Sequence, residues 1–278
     1  MRITAEGLNW SVSGRPVVRG VDLDIEPGET VGLLGPNGSG KSSLLRCLAG
    51  LRVPDAGTVR YDGRSIRDWG ARRIARRVAF VEQDSGFDSD LSVADVVGLG
   101  RTPFRDRWHG PDCTDRAVGA AALDRVGLTA LAGRSWKGLS GGERRRAHIA
   151  RAFAQQPYGL LLDEPTNHLD VKHQWELMDL LAGTGQTVLV ALHDLTLAVR
   201  HCDRLLLMHR GRLIASGAPA TVLTAEHLAR IFEVDAELAT DAQGRLSVSY
   251  RGPLHATSPS PSPSLLPAPA PALRQGTS

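Results

Sequence analysis

The chain has 278 residues, 42% of them hydrophobic and 23% charged, so it is long and apolar enough to bury a full globular core. Its longest apolar stretches, such as Thr187–Leu192, are strand-sized and far short of the ~20 residues that cross a bilayer, which excludes a spanning helix within this sequence. The formal net charge is only +3, and the opening Met1–Glu6 lacks the apolar run of a signal peptide, so a cytoplasmic protein is predicted.

Residues 3–26 alternate in strand fashion, with a turn at Ser13-Gly14. Thr30–Leu34 is a short apolar run ending in a Gly-rich loop, and Lys41–Ala49 then reads as a helix closed by Gly50. Gly57–Tyr61 and Val78–Val81 read as further strands. Between 92 and 156 helical periods dominate, as in Ala117–Val126 and Arg144–Gln155. Strand signals return at Tyr158–Leu162, Thr187–Ala191, Arg204–Met208 and Leu213–Ala215, with helices between them. This order predicts one α/β sheet domain over 1–252, with a helical subdomain inserted at about 84–157. From Pro253 to Ser278 the composition turns to Pro, Ser and Ala, which cannot bury enough apolar surface to offset ordering entropy, so a disordered tail is predicted.

Of the 33 basic residues only Lys41, Lys137 and Lys172 are lysine. The clusters Arg72–Arg77 and Arg144–Arg146 come without interleaved aromatics in the sequence, which favours solvated helix surfaces over a nucleic-acid face. Cys47, Cys113 and Cys202 are far apart and odd in number, so they read as reduced thiols with no metal-ligand spacing.

Gly35-Pro36-Asn37-Gly38-Ser39-Gly40-Lys41-Ser42 fits G-x-x-x-x-G-K-S between a predicted strand and a predicted helix. A polyphosphate needs many donors at close range. Glycines let backbone N–H groups curl around it, the helix start adds its positive dipole end, Lys41 adds charge between the β- and γ-phosphates, and Ser42 ligates Mg²⁺. Further along, Leu139-Ser140-Gly141-Gly142-Glu143 opens a helix with Ser140 as N-cap. Leu160-Leu161-Leu162-Asp163-Glu164-Pro165 ends an apolar strand with two adjacent carboxylates, at the end where ligands bind in open α/β sheets. His193 follows the strand Val188–Leu192 in the same way.

In this order and spacing these motifs resemble the ABC ATPases over residues 3 to about 235. The resemblance implies a P-loop NTPase (RecA-like) core with an antiparallel β-subdomain and an inserted α-helical subdomain. It implies that Trp10 stacks on adenine, that Gly35–Ser43, Ser43 included, is the Walker A loop, and that Gln83 senses Mg²⁺ and the γ-phosphate. Ser140, Gly141, Gly142 and Glu143 would form the signature loop and Asp170 the D-loop acid. Asp163 would hold Mg²⁺ through water, Glu164 would be the catalytic carboxylate and His193 the switch histidine. The cofactors implied are ATP and Mg²⁺. The partners implied are a second copy of the chain, two transmembrane permease subunits and an extracytoplasmic substrate-binding protein, with the ATPase peripheral on the cytoplasmic face of the membrane and no nucleic acid bound.

Two positions depart from the usual pattern: Arg145 stands where Gln is usual, and Glu82 precedes Gln83 where Pro or an apolar residue is usual. Neither removes a catalytic group. Gly98–Pro103, Asp170–Gln174, Ala191–Leu195, Gly217–Thr224 and Ile231–Val234 resemble ATPases of iron-chelate and cobalamin importers, with ferric siderophore as first cargo and haem or cobalamin second. The rival readings are a non-catalytic regulatory ATP-binding module, against which Glu164 and His193 speak, and a soluble ATPase acting on nucleic acid.

Overall fold

Met1 and the residues after it enter a hairpin of two long strands, β1 (Ile3–Val12) and β2 (Arg15–Ile25), joined by Ser13-Gly14, both at positive φ (48° and 76°). Paired positive φ values match the twist of a tight antiparallel hairpin. The chain continues through β3 (Thr30–Leu34), α1 (Lys41–Leu48), β4 (Ala56–Tyr61), the short β5 (Arg64–Ser65), α2 (Ala71–Ala75) and β6 (Val78–Val81). Helices α3 (Val93–Gly98), α4 (Cys113–Arg125) and α5 (Gly141–Ala154) follow. Then come β7 (Gly159–Asp163), α6 (Val171–Ala182), β8 (Thr187–Ala191), α7 (Leu195–His201), β9 (Arg204–His209), β10 (Arg212–Gly217), α8 (Pro219–Val222), α9 (Ala225–Phe232), β11 (Val234–Thr240) and β12 (Leu246–Pro253). This computed structural model describes residues 1–82, 90–106, 110–242 and 246–254.

One sheet is antiparallel, in the order β2-β1-β4-β5. The other runs β10-β9-β3-β8-β7-β6 and is parallel except for its β9–β10 edge. Its central strands are apolar throughout because both faces are covered. Leu160, Leu162, Val188, Val190, Leu205 and Leu207 face one core, shared with α3–α7 and α9, while Leu161, Leu189, Ala191, Leu206 and Met208 face the other, shared with α1 and the antiparallel sheet. The strict alternation is the period-2 pleat seen from both sides. Every strand of the sheet's middle therefore ends at one common edge, with β3, β8 and β7 side by side.

Two expectations need correcting, and one hairpin was not expected at all. β11 and β12 pair in a hairpin that packs on α9 and α7, a feature the sequence pattern did not announce because only Ala236 of β11 is buried. Pro253, placed in the tail on composition, is instead the last residue of β12, opposite Val234; the predicted tail otherwise lies outside the described residues from 255 onward. The arginine clusters are not simply solvated. Arg73 and Arg77 stack on Trp69, Arg77 also on Tyr158 and Arg76 on Phe104, while Arg145 is buried. Trp69 lies just before the cluster, whereas Phe104 and Tyr158 come from distant sequence positions, which local inspection misses.

Candidate functional site

The loop after β3 turns on glycines. Gly35, Gly38 and Gly40 take φ of 151°, 74° and 104°, values that L side chains rarely adopt. Gly40 caps α1, so the loop's amides and the helix start converge on one spot. Asn37 and Gly38 form its exposed tip, Pro36 and Gly40 are half-buried, Gly35 and Ser39 are buried, and Ser42 and Ser43 sit half-buried in the first turn of α1. Lys41 is buried, and its Nζ donates to the carbonyls of Gly35 at 2.7 Å and Pro36 at 3.3 Å, folding the ammonium back over the loop. Burial pulls its pKa down, while Glu164 and Asp163 pull it up.

At the end of β7, Asp163 is 0% exposed, and its two carboxylate oxygens have no hydrogen bond of normal geometry among the described residues. Burial lifts its carboxyl above the usual range; the adjacent Ser42 hydroxyl, Arg46 and Lys41 oppose that, and Glu164 adds to it. A buried carboxylate beside a hydroxyl, at the mouth of a glycine loop, is a fitting place for a hard divalent cation such as Mg²⁺. Glu164 has φ of 50°, which turns the chain off the strand and swings its carboxylate toward β8. Its Oε2 accepts from Asn167 Nδ2 at 2.7 Å, and its Oε1 lies against His193 Nε2, which donates when that nitrogen carries the proton. His193 sits two residues beyond Ala191, the register partner of both Leu33 and Asp163. So β3, β7 and β8 deliver Lys41, Asp163, Glu164 and His193 to one edge, three strands wide.

Trp10 lies on β1 opposite Val18, half-buried against the core that holds α1. The neighbouring Val17 carbonyl lies against the loop, since a Cβ built on Gly40 would meet it at 2.7 Å. Gln83 lies outside the described residues.

Ser140, Gly141, Gly142 and Asp170 gather elsewhere. They line a hollow of about 380 Å³ with Glu143, Arg146, His168, Leu169 and His173, and no residue of the phosphate loop or of the strand ends lines it. Ser140 caps α5 in a closed box: its Oγ accepts from Glu143 N at 3.3 Å, and Glu143 Oε2 accepts from Ser140 N at 2.7 Å. Asp170 caps α6, accepting from His173 N at 2.9 Å and meeting His173 Nδ1 at 2.7 Å; these bonds hold its carboxyl below the usual range. The sequence motifs thus fall into two places on one chain.

Sequence reading noted Arg145 only as a departure from pattern. Its side chain is 6% exposed and reaches the carbonyls of Glu82, Asp163, Glu164 and Pro165. Those partners are up to 63 positions away, so no local signal announces them.

Comparison with known proteins fits this geometry. The family model for the ABC transporter matches residues 18–167. The chain belongs to the ABC transporter family, and it is an ATP-binding subunit with ATPase function. It is 43% identical over 241 residues to the hemin import ATP-binding protein HmuV of Pseudomonas entomophila, covering 84% of this chain and 93% of that protein. It is 40% identical over 254 residues to the cobalamin import ATP-binding protein BtuD of Halobacterium salinarum, covering 90% of this chain and 63% of that one. Among solved structures, an inward-facing metal-chelate type ABC transporter superposes with a TM-score of 0.77 at 28% identity, covering 92% of this chain and 98% of that one. The dimeric post-hydrolysis state of the cassette MJ0796, bound to ADP and Pi, superposes with a TM-score of 0.69 at 28% identity over 78% of this chain and 98% of that one. The fold is that of the ABC cassettes, the P-loop core expected from sequence.

Proposed function

We propose that this chain powers an ABC importer as a homodimer in which each copy completes the other's ATP site. The observation that carries this is the separation of the motif residues into two places: Lys41, Asp163, Glu164 and His193 at the strand ends, and Ser140–Gly142 with Asp170 in an exposed hollow. A second copy that presents its exposed half to the strand ends of the first makes one complete site, and symmetry makes two.

Phosphoryl transfer asks for positioning and charge more than covalent chemistry. In this reading Trp10 stacks on adenine, the amides of Gly35–Ser43 surround the β- and γ-phosphates, and Lys41 exchanges its two carbonyl contacts for phosphate oxygens. Glu164, steadied on one oxygen by Asn167, orients and polarises the attacking water with the other, and His193 passes from Glu164 to the γ-phosphate. Gln83 senses the γ-phosphate. Ser140, Gly141 and Gly142 of the second copy cap its far side with a helix start worth about half a positive charge. Asp170 lines the seam between the copies. Ser42 and Asp163 would hold Mg²⁺, which when bound neutralises phosphate oxygens.

Among the described residues no helix is long and apolar enough to cross a membrane, so the permeation path belongs to partners. We read two permease subunits, a substrate-binding protein outside, and a peripheral place on the cytoplasmic face of the membrane, with no nucleic-acid role. We read one domain that runs to the end of β12 at Pro253, with its helical part at about 84–157. The cargo is a metal chelate. Haem is the first cargo and ferric siderophore the second, because the relative at 43% identity is named for hemin import; a deletion strain that loses siderophore-iron uptake but keeps haem uptake would reverse that order.

Glu164→Gln tests the chemistry. It is expected to keep ATP binding, to lower turnover by about 10²–10⁴ and to trap an ATP-bound dimer on gel filtration. Verified monomer that hydrolyses ATP at the dimer's specific rate would overturn the shared-site reading.

A further inference from the structure

Glu164 must hold its carboxylate in one place, yet its own backbone sits at φ 50°, in the left-handed region that a non-glycine residue occupies only when its surroundings enforce it. Asn167 N donates to the Glu164 carbonyl at 3.3 Å, and a single buried side chain adds most of the other bonds to the turn's backbone. Arg145 Nη2 donates to Asp163 O at 2.7 Å and to Glu164 O, and Nε donates to Pro165 O at 3.1 Å, so three successive carbonyls of the turn converge on a single guanidinium. Nη1 donates to Glu82 O at 2.6 Å, at the end of β6 and next to Gln83. Arg145 itself is buried in α5, five residues after Ser140.

We propose that Arg145 is a positioning residue for hydrolysis: it locks the turn that carries Glu164 to the helix that carries the signature loop. The planar fork of a guanidinium is the side chain that can serve this many carbonyls at once, with five N–H donors in fixed directions. The Gln usual at this position in the family has two N–H groups and cannot span them. Because Glu164 serves the nucleotide held by its own chain while Ser140–Gly142 faces the one held by the partner, the lock makes the base of one site and the cap of the other move as one piece. This rests on Glu164 being the residue that activates water.

The test uses the full chain at a concentration where specific ATPase activity no longer rises. Arg145→Met keeps the aliphatic stem and removes every donor. Its kcat is expected to fall about 100-fold, the scale of a small misplacement of a catalytic group. KM for ATP and Kd for a fluorescent ATP analogue should stay within about threefold, because the hydrogen bonds of Arg145 among the described residues go to residues 82 and 163–165 rather than to the phosphate loop. Arg145→Gln, with two donors left, is expected to recover about tenfold of the lost rate. In a Glu164→Gln background, Arg145→Met should add less than about a twofold further loss, since a residue acting through Glu164 then has nothing to position.

Native kcat in Arg145→Met, losses that multiply across the two sites, or a raised Kd with unchanged kcat would each overturn the role of Arg145. Where Arg145→Met does not fold, Arg145→Lys carries the test: its ammonium keeps donors but as one compact point cannot reach three spread carbonyls, so kcat should fall about tenfold with unchanged Kd, and a native kcat would sink the proposal. A native rate in Glu164→Gln alone overturns the reading of Glu164 instead, whatever Arg145 does.

Discussion

Two glycine-rich loops of this molecule each open a helix, and they differ in why glycine is there. In the phosphate loop the chain's own packing demands it. A Cβ on Gly35 would lie 2.1 Å from the Met208 carbonyl, and one on Gly40 2.7 Å from the Val17 carbonyl and 2.9 Å from Met208 Cε. In the signature loop nothing lies within 4 Å of a Cβ on Gly141, and Gly142 meets only ordinary contacts, from Leu169 Cδ2 at 3.4 Å and the His168 carbonyl at 3.8 Å. Gly141 sits at the first turn of α5, where any good helix former would do. A loop kept small for no internal reason leaves room for something external, and the γ-phosphate of a nucleotide on a second copy is the object that suits it.

Substitutions at these loops break or sharpen that contrast. Gly141→Asp places an acid in the first helical turn, where the dipole favours it by about 0.3–1 kcal/mol, so the isolated chain should be as stable as before or slightly more so. Its carboxylate would meet the partner's γ-phosphate, and ATP turnover should fall by about 10³, the low end of what trans-supplied charge contributes in P-loop enzymes. Gly35→Ala should do the reverse in kind, costing at least about 3 kcal/mol of stability in denaturant titration and ATP binding with it. Equal stability losses in the two variants would erase the distinction.

The block that carries the signature loop is held by an apolar core and, within it, by a buried ion cluster. Asp115 and Arg101 are both buried; Asp115 Oδ1 accepts from Arg101 Nε at 3.0 Å and Oδ2 from Arg105 Nε at 2.8 Å, and Arg101 Nη1 reaches Ala154 O at the end of α5. Asp115→Ala strands two guanidiniums, and about 3–5 kcal/mol of stability should be lost. Burial pushes the Asp115 carboxyl up, but the bonds and charges of Arg101 and Arg105 outweigh it and hold the pKa below the ordinary 3.8. The native pKa is the depressed one, so the stabilisation is fully present above 3.8 and is lost as pH falls through the lower native value. Acid titration of the wild type and Asp115→Ala should therefore converge at low pH; parallel curves would discard the ion cluster as a source of order. Ser140→Ala removes one cap and should cost about 1 kcal/mol in denaturant titration, a smaller stability loss than those of Gly35→Ala and Asp115→Ala.

How much of this was legible beforehand depends on how local each feature is. The strand, glycine-rich loop and helix over residues 30–48 were readable because they form one short contiguous segment. Asp163, Glu164 and His193 were readable as strand-end residues, and their meeting required only that β7 and β8 be neighbours. The role of Arg145 was not readable, since its carbonyl partners come from residue 82 and residues 163–165. The β11–β12 hairpin was hidden for another reason: a strand with one buried residue carries almost no alternation.

Sequence alone determined the family, the identity of the phosphate loop and the order of strands, helices and strands, because those follow from contiguous residues and from hydrophobic period. Tertiary structure alone decided that the motif residues fall in two separate places, that one guanidinium meets the carbonyls of residues 163–165, and that Phe104 and Tyr158 reach the surface arginines Arg76 and Arg77. Side-chain hydrogen bonds and packing reach across the sheet to partners far away in the chain, and no local pattern encodes which carbonyl a guanidinium will find.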